Sequence, residues 1–385
     1  FSLAATTGLV VPAVHARAAP RARASSSSPA PSALGNRDRP CFRSSSRARR
    51  QLRSVTSPAM DTVSASETAS DETDVAHTMT DLEKYLFDLN GFLVVRGVFS
   101  DAEVRNANAA IDKRSSKIVE RKGDLRLGGN KGAPLAGDGV TGREDLGGML
   151  GWPEGDREVF RSVLTHPKLV PYYHALVGNG YRMDHLPLLI QQNPGADGFV
   201  FHGGKMNDDG SWCDDLAYTF NNGRMYNRLL AVSVALTETK PGDGGFCVIR
   251  GSHKANLPCP PAMQRHEVAA EFVENPELAP GDVLLFSEAT THGTLPWSAS
   301  HTRRACLYRF APATSAYGRA YMTSKPAWPE DMMKDLTEAQ AAVLEAPYHP
   351  RLDRPSLEAD GRVAVTSRAE FKKEHDAKVF GSKYF

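Results

Sequence analysis

The sequence predicts a mainly β fold, a two-sheet jelly roll with flanking helices. One observation is a series of short apolar segments, such as residues 186–192 and 198–202, separated by turns that contain Gly and Pro. Another is a pair of helical segments outside the strand-rich region. Each of these begins with a capping box, formed by Ser100 with Glu103 and by Thr337 with Gln340. Strands between turns, bordered by helices, are expected to pack as two β-sheets with helices against them.

The order of elements follows from the same patterns. The run 228–236 is apolar apart from Arg228 and Ser233, which predicts a strand at the centre of a sheet. The Gly-rich segment 122–155 and the polar segment 203–224 show little periodicity and are predicted as loops, the first lying over the site. The remaining predictions are a helix over 82–90, a strand over 91–95, a helix behind Ser100 and a helix over 166–177.

Composition limits the class of protein. The chain of 385 residues is 41% hydrophobic with a formal net charge of +1, which is typical of globular proteins. No apolar run approaches the ~18 residues that span a membrane. The five cysteines are odd in number and form no CxxC pair, so neither a disulfide framework nor a structural zinc site is expected, and a reducing compartment is favoured.

The first 60 residues differ from the rest. They contain ten arginines, one acid (Asp38) and many Ala, Ser and Pro residues. This composition predicts a disordered presequence and is typical of transit peptides for a plastid or mitochondrion, with the cytoplasm as the alternative location. It does not indicate a nucleic-acid-binding surface. Residues 61–81 are predicted as a linker, 82–312 as the main domain and 313–385 as a C-terminal helical extension packed on it.

Two histidines and one arginine indicate a metal site. His202 ends an apolar strand, and His292 follows the buried run 283–286. Eleven residues later, Arg303 enters an alternating strand, which predicts one imidazole and one guanidinium facing the same cavity. Two histidines with one carboxylate form a facial triad for Fe(II), and a guanidinium suits the far carboxylate of 2-oxoglutarate.

Three neighbouring residues complete this interpretation. Arg304 competes with Arg303, but consecutive residues on a strand point to opposite faces, and the spacing from His292 favours Arg303. Thr294 is expected to donate a hydroxyl hydrogen bond to the same carboxylate. His253, in a tight turn, is interpreted as structural or as a surface residue.

Four segments in this order resemble the phytanoyl-CoA dioxygenase family: NGFLVV (90–95), GGF (244–246), GSHK (251–254) and HGT (292–294) followed by Arg303. The resemblance covers about residues 82–312. It implies a double-stranded β-helix, cupin-like, that uses Fe(II), 2-oxoglutarate and O₂, with ascorbate as a further candidate cofactor. It also assigns iron binding to His202 and His292, and cosubstrate binding to Arg303.

The chain departs from the family at Gly204, where a carboxylate usually follows the first histidine by two residues. Three alternatives remain open. Another acid completes the metal site, namely Asp208, Asp209 or Glu288. Alternatively, a halide or water takes the place left at Gly204, as in non-haem iron halogenases. In the third alternative the metal site is lost.

The resulting hypothesis is a dioxygenase that hydroxylates an unactivated C–H bond of a small organic or lipid-like substrate. The alternatives are a non-haem iron halogenase and a non-catalytic jelly-roll binding protein. The sequence predicts a small-molecule partner, without nucleic acid or a membrane span, and does not indicate an oligomeric state.

Overall fold

The structure is a computed structural model that describes residues 78–207, 210–317, 328–347, 355–365 and 369–380, all within a unit spanning residues 71–385. The helices are α1 (Asp81–Asn90), α2 (Asp101–Asp112), α3 (Glu158–Ser162), α4 (Val170–Leu176), α5 (Pro261–Gln264), α6 (Glu338–Val343) and α7 (Glu370–Phe380). The strands are β1 (Phe92–Val95), β2 (Val119–Glu120), β3 (Glu144–Gly147), β4 (Arg182–Gln192), β5 (Phe199–His202), β6 (Tyr218–Asn221), β7 (Arg224–Asn227), β8 (Leu230–Ala235), β9 (Gly245–Ile249), β10 (Val273–Glu274), β11 (Val283–Ser287), β12 (His292–Leu295), β13 (Arg303–Ala311), β14 (Pro355–Leu357) and β15 (Val363–Val365).

Local signals set where the first helices begin. Thr80 caps α1 and Ser100 caps α2, each in a reciprocal capping box with the glutamate three residues later. Both boxes satisfy backbone N–H groups that have no partner within the helix. Helix α1 ends at Gly91, whose φ of 83° lies in the left-handed region and lets the chain turn directly into β1.

Two antiparallel sheets form the body of the fold. The larger one has the order β1-β11-β8-β13-β4-β3-β2, and the smaller one has the order β10-β9-β12-β5. Phe246 of the smaller sheet packs on Phe286 of the larger sheet, with ring centroids 4.7 Å apart. The two sheets therefore face each other, as the predicted jelly roll requires.

The two faces of the larger sheet bury different neighbours. Between the sheets lies an apolar cluster that includes Phe92, Phe246, Phe286 and Leu307. The opposite face packs on the helices through a larger cluster, to which Tyr308 contributes. Strand β8 is buried along its whole length, because it lies between β11 and β13 with one face in each cluster.

Several predicted boundaries were wrong. Residues 122–155 contain β3, and 203–224 contain β6, so neither is only a loop. The helix predicted over 166–177 is the shorter α4, and the extension after residue 312 contains the hairpin β14–β15 besides α6 and α7. The missed strands have four residues or fewer, so each is too short to show the alternation that marks a longer strand.

The predicted presequence, and the predicted linker up to residue 77, lie outside the described residues. Among the helices that the structure describes, none is both long and apolar enough to cross a membrane.

Candidate metal centre and cosubstrate cavity

His202 and His292 lie opposite each other on neighbouring strands. They are direct partners in the antiparallel pairing of β5 with β12, and their ring centroids are 4.3 Å apart. Ninety residues of sequence separate them, yet the pairing places both imidazoles at one end of the smaller sheet. Phe286 packs beside His292 from the facing sheet, with ring centroids 4.7 Å apart, so the pair faces the space between the sheets.

Hydrogen bonds fix the tautomer of both rings. The Nδ1 of His202 donates to the carbonyl of Val200 at 3.1 Å, and the Nδ1 of His292 donates to the carbonyl of Thr290 at 2.7 Å. A carbonyl oxygen only accepts, so each Nδ1 carries the proton and each Nε2 keeps its lone pair. Although the His202 side chain is partly exposed, desolvation of its ring, together with the charge that a protonated His292 carries, lowers the pKa of His202 to about 4, and burial also lowers the pKa of His292. Both rings are therefore neutral near neutral pH, the form in which an imidazole can bind a metal.

Glu288 is the acid that joins the two histidines. It follows β11 directly, it is buried, and its Oε2 lies 3.6 Å from Nε2 of His292. The ligand atoms of His202, Glu288 and His292 all lie within 4.8 Å of one another. Burial alone would raise the pKa of Glu288, but the charges of Arg309 and His292 outweigh it and hold the pKa at about 2. The cluster therefore contains two neutral imidazoles and one carboxylate.

Arg309 orients the carboxylate. Its Nε donates to Oε1 of Glu288 at 2.5 Å, which leaves Oε2 on the side of the histidines. Arg309 lies on β13 six residues after Arg303, so the two arginines share a strand face and line the same cavity. Alternation along the strand was the sequence signal for Arg309, because residues 303 and 309 are an even number of positions apart. Arg309 was not among the predicted site residues.

Backbone geometry explains why glycines follow His202. Gly203 has φ of 85°, and a Cβ there would lie 2.6 Å from the carbonyl oxygen of Glu288 and 2.7 Å from that of Thr290. Gly204 has φ of 105°, although a Cβ there would meet nothing closer than 3.8 Å. An aspartate at position 204 would therefore carry backbone strain without a steric clash, and the carboxylate is provided by Glu288 instead.

Arg303 lies in the same cavity and has no acidic partner among the described residues. Its guanidinium is buried, and its Nη1 donates to Oε1 of Gln192 at 3.0 Å. Burial and the charge of Arg143 lower its pKa to about 10, so it remains charged. A buried cation without a counter-ion is costly, which makes this guanidinium a candidate binding site for a carboxylate.

Arg304 points to the other face of β13. It forms an ion pair with Asp112 of α2 at 2.7 Å and hydrogen bonds with Gln191 and Asn108. It therefore ties a helix to the sheet and does not line the cavity.

The cavity between the sheets has a volume of about 250 Å³. Its wall contains His202 of β5 and Arg303 of β13. It also contains His292 and Thr294, both of β12. Glu288 contacts the site through His292 and Arg309. The full lining is Arg121, Arg143, Leu188, Ile190, Phe199, His202, Ser233, Phe246, Phe286, His292, Gly293, Thr294, Arg303, Leu307 and Arg309.

Other predicted residues lie elsewhere. Asp208 and Asp209 are outside the described residues, so the structure does not place them. His253 is buried in the turn after β9, away from the cavity lining. Arg121 and Arg143 do line the cavity, but neither was among the predicted site residues, because the segment between them was interpreted as a loop. The sequence signal for these two residues was their position, since Arg121 and Arg143 flank that segment.

The side chains fit iron as a ligand set. Two histidines and one carboxylate are the residues that bind Fe(II) while leaving positions for oxygen and a cosubstrate. Both Nε2 atoms are unprotonated, and the carboxylate is ionised and held in place. The donor set therefore agrees with the metal that the resemblance implies.

Comparison with known proteins gives the family. The phytanoyl-CoA dioxygenase (PhyH) family matches residues 87–305, more than half of the chain. Ectoine dioxygenase from Streptomyces avermitilis is 25% identical over 136 residues, which cover 35% of this chain and 43% of that enzyme, less than half of its length.

Two solved structures show similarity to the fold. HygX from Streptomyces hygroscopicus, with nickel and 2-oxoglutarate bound, is 20% identical over 66% of this chain and 90% of its own, with a TM-score of 0.49. EctD from S. alaskensis, with bound Fe, is also 20% identical, over 64% and 80% of the two chains, with a TM-score of 0.44. From the family match over residues 87–305, the chain belongs to the phytanoyl-CoA dioxygenase family of Fe(II)- and 2-oxoglutarate-dependent oxygenases.

Proposed function

We propose that the chain hydroxylates an unactivated C–H bond of a small organic or lipid-like substrate, with His202, Glu288 and His292 as the iron ligands. The observation that carries the proposal is the convergence of one buried carboxylate on two neutral imidazoles. We further propose that Arg303 binds the far carboxylate of 2-oxoglutarate, since it is a buried cation with no acidic partner in the described chain.

Iron, when bound, supplies the chemistry that couples decarboxylation of 2-oxoglutarate to the insertion of oxygen. The residues of the chain bind and orient. The Nδ1 hydrogen bonds of His202 and His292 aim each Nε2, and Arg309 aims Glu288. Phe246, Phe286 and Leu307 cover the cavity with apolar surface, which limits the access of water.

Glu288 favours hydroxylation over halogenation. A halogenase has room for a halide because the site lacks the carboxylate ligand. Here an ionised carboxylate lies 3.6 Å from the Nε2 of His292. Glu288 therefore gives the proposed metal site a negatively charged ligand, although position 204 is a glycine. A halide would also meet the repulsion of this carboxylate.

The test compares Glu288→Gln with wild type. Anaerobic Fe(II) titration by calorimetry is expected to show a loss of affinity, because the amide keeps the shape of the side chain and removes the charge. Succinate release with Fe(II), 2-oxoglutarate and O₂ is expected to fall in parallel and to be independent of added chloride. The matched control is Glu274→Gln, since Glu274 also pairs with an arginine (Arg250) but lies outside the cavity lining.

Two results would contradict the proposal. One is wild-type iron affinity in Glu288→Gln, which would remove Glu288 from the ligand set. The other is turnover that requires chloride and yields a halogenated product.

A further inference from the structure

We infer that the substrate of this oxygenase carries an anionic group, a carboxylate or a phosphate monoester, which Arg121 and Arg143 bind beside the metal site. This inference rests on the proposed function and specifies the substrate class for it. It starts from two arginines that line the cavity in addition to Arg303 and Arg309.

A single carboxylate holds the two guanidiniums side by side. Asp145 of β3 accepts from Nε of Arg121 at 2.6 Å through one oxygen and from Nε of Arg143 at 2.8 Å through the other. Both arginines therefore use Nε for Asp145. Within the described chain, their Nη1 and Nη2 groups make no hydrogen bond. These are the donors that form the fork for a carboxylate or a phosphate.

The pair is close to the candidate metal site. The guanidinium carbons of Arg121 and Arg143 lie 5.7 and 5.6 Å from the centroid of the Phe199 ring. That ring packs against the imidazole of His202, with centroids 5.1 Å apart. One aromatic ring thus separates the two arginines from a candidate iron ligand. A substrate whose anionic group lies on this pair would have the rest of its structure next to the metal.

Like charges are concentrated here. Arg143 is buried, and burial with the charges of Arg121 and Arg309 lowers its pKa although Asp145 opposes this. The charge of Arg143 in turn acts on Arg303. Such mutual repulsion destabilises the empty cavity unless an anion compensates it.

The charges do not balance without a further anion. Four guanidiniums line the cavity, and two carboxylates, Asp145 and Glu288, contact them. Among the described residues of the cavity, this leaves an excess of two positive charges. A divalent metal ion would add two, and the dianion 2-oxoglutarate would remove two. An excess of two positive charges therefore remains, which a carboxylate or a phosphate monoester on the substrate reduces or cancels.

The cosubstrate does not need this pair. It has two carboxylates, of which one belongs to the keto acid end that chelates the metal and the other is assigned to Arg303. The arginines that Asp145 holds are then left for a second anionic molecule.

The test measures anion binding to protein loaded anaerobically with Fe(II) and saturating 2-oxoglutarate, by calorimetry. Acetate is the carboxylate probe and methyl phosphate is the phosphate probe, and the tighter of the two identifies the group. Wild type is expected to bind at least one probe. Arg143→Gln and Arg121→Gln are each expected to weaken that binding by about tenfold or more, while the Kd of 2-oxoglutarate stays within about threefold.

Arg250→Gln serves as the control, because Arg250 is an exposed arginine with an acidic partner, Glu274, outside the cavity. It is expected to bind the probe as wild type does. Arg121 is more exposed than Arg143, so its variant keeps the test valid if Arg143→Gln does not fold.

Three outcomes would overturn the inference: no probe binds to wild type, the probe binds to both cavity variants as tightly as to wild type, or Arg143→Gln weakens 2-oxoglutarate as strongly as Arg303→Gln does. The last result would assign Arg143 to the cosubstrate. Failure of the proposed function is a separate result, because wild type would then not bind Fe(II) and 2-oxoglutarate in the loading step.

Discussion

At the scale of single residues, Arg303 and Arg304 show that two consecutive residues of one strand lie in different surroundings. Arg303 faces the cavity, where its side-chain hydrogen bond within the described chain goes to Gln192, whereas Arg304 faces α2 and pairs with Asp112. Both are arginines on the same strand, and the pleat alone assigns their roles.

Arg303→Gln is expected to weaken 2-oxoglutarate far more than Arg304→Gln does. A buried charge-assisted contact is worth roughly 2–5 kcal/mol, which corresponds to about thirtyfold or more in Kd. Arg304→Gln should instead lower the melting temperature, since it removes the ion pair with Asp112. Calorimetric titration of 2-oxoglutarate and thermal unfolding of both variants provide the measurements. Equal losses of cosubstrate affinity would show that the assigned faces are wrong.

The two glycines after His202 allow a matched comparison. Gly203→Ala combines a positive φ with close contacts to two carbonyl oxygens, whereas Gly204→Ala has a positive φ but open space. Gly203→Ala is therefore expected to lose more stability, beyond the ~1 kcal/mol scale of backbone strain, and to weaken Fe(II) by displacing Glu288 or His292. Chemical denaturation and metal titration of both variants test this. A larger effect at Gly204 would contradict it.

At the scale of elements, β13 connects the proposed metal site to the proposed cosubstrate site. Its inward face presents Arg303 and Arg309, and its outward face presents Tyr308 and Phe310 to the helical core. Pairing with β4 places Arg303 opposite Gln192, and pairing with β8 places Arg309 opposite Ala231.

This arrangement predicts a division of roles along the strand. Arg309→Gln is expected to weaken Fe(II) by about 10- to 100-fold, the usual cost of losing a residue that orients a metal ligand, because Glu288 loses its Nε donor. The Kd of 2-oxoglutarate, measured with Mn(II) as a substitute metal at saturation, should change little. Arg304→Gln on the opposite face is the control for metal affinity. If Arg309→Gln binds iron as tightly as wild type does, Arg309 does not orient a metal ligand.

At the scale of the whole molecule, His253 joins parts of the chain that are distant in sequence. Its Nε2 donates to the carbonyl of Asp88 in α1 at 2.9 Å, and its ring lies edge-on to Tyr218 of β6. Its Nδ1 is buried without a hydrogen-bond partner in the described chain. Burial, with the charge of Lys254, lowers the pKa of His253 to about 4 from its ordinary value of 6.5.

The depressed pKa predicts an acid-sensitive contribution to stability. Between pH 6.5 and pH 4 the unfolded chain binds a proton at His253 that the folded chain does not. The free energy of unfolding therefore falls as the pH falls through this window and is unaffected by His253 above it.

His253→Gln keeps a donor for Asp88 and removes the titration, so its stability should depend less on pH. The variant is expected to be less stable than wild type at pH 7, with a gap that narrows towards pH 4. Urea denaturation at several pH values measures the gap. A gap that stays constant from pH 7 to pH 4 would exclude His253 as the titrating group.

Local patterns in the sequence were sufficient for the fold class and for the order of the main elements. The capping boxes at Ser100 and Thr337 mark helix starts, and the apolar run of β8 marks the sheet centre. Such signals depend on neighbours a few residues apart, so they can be read along the chain. Strands β3 and β6 were missed because a strand of four residues carries too little periodicity to be distinguished from a loop.

Part of the candidate site could also be predicted from local patterns, and part could not. His202, His292 and Arg303 follow from their order around strands, because alternation along a strand decides which face each side chain occupies. Only the tertiary structure brings Glu288, 84 residues from Gly204 in number, beside the two histidines, whereas the family pattern places a carboxylate two residues after His202. It also brought Arg121 and Arg143 to the same cavity. The pairing of β5 with β12 brings the two histidines together, and the pairing of β3 with β4 brings Arg143 to the cavity. Contacts between strands depend on which segments pair across the sheet and not on their distance along the chain.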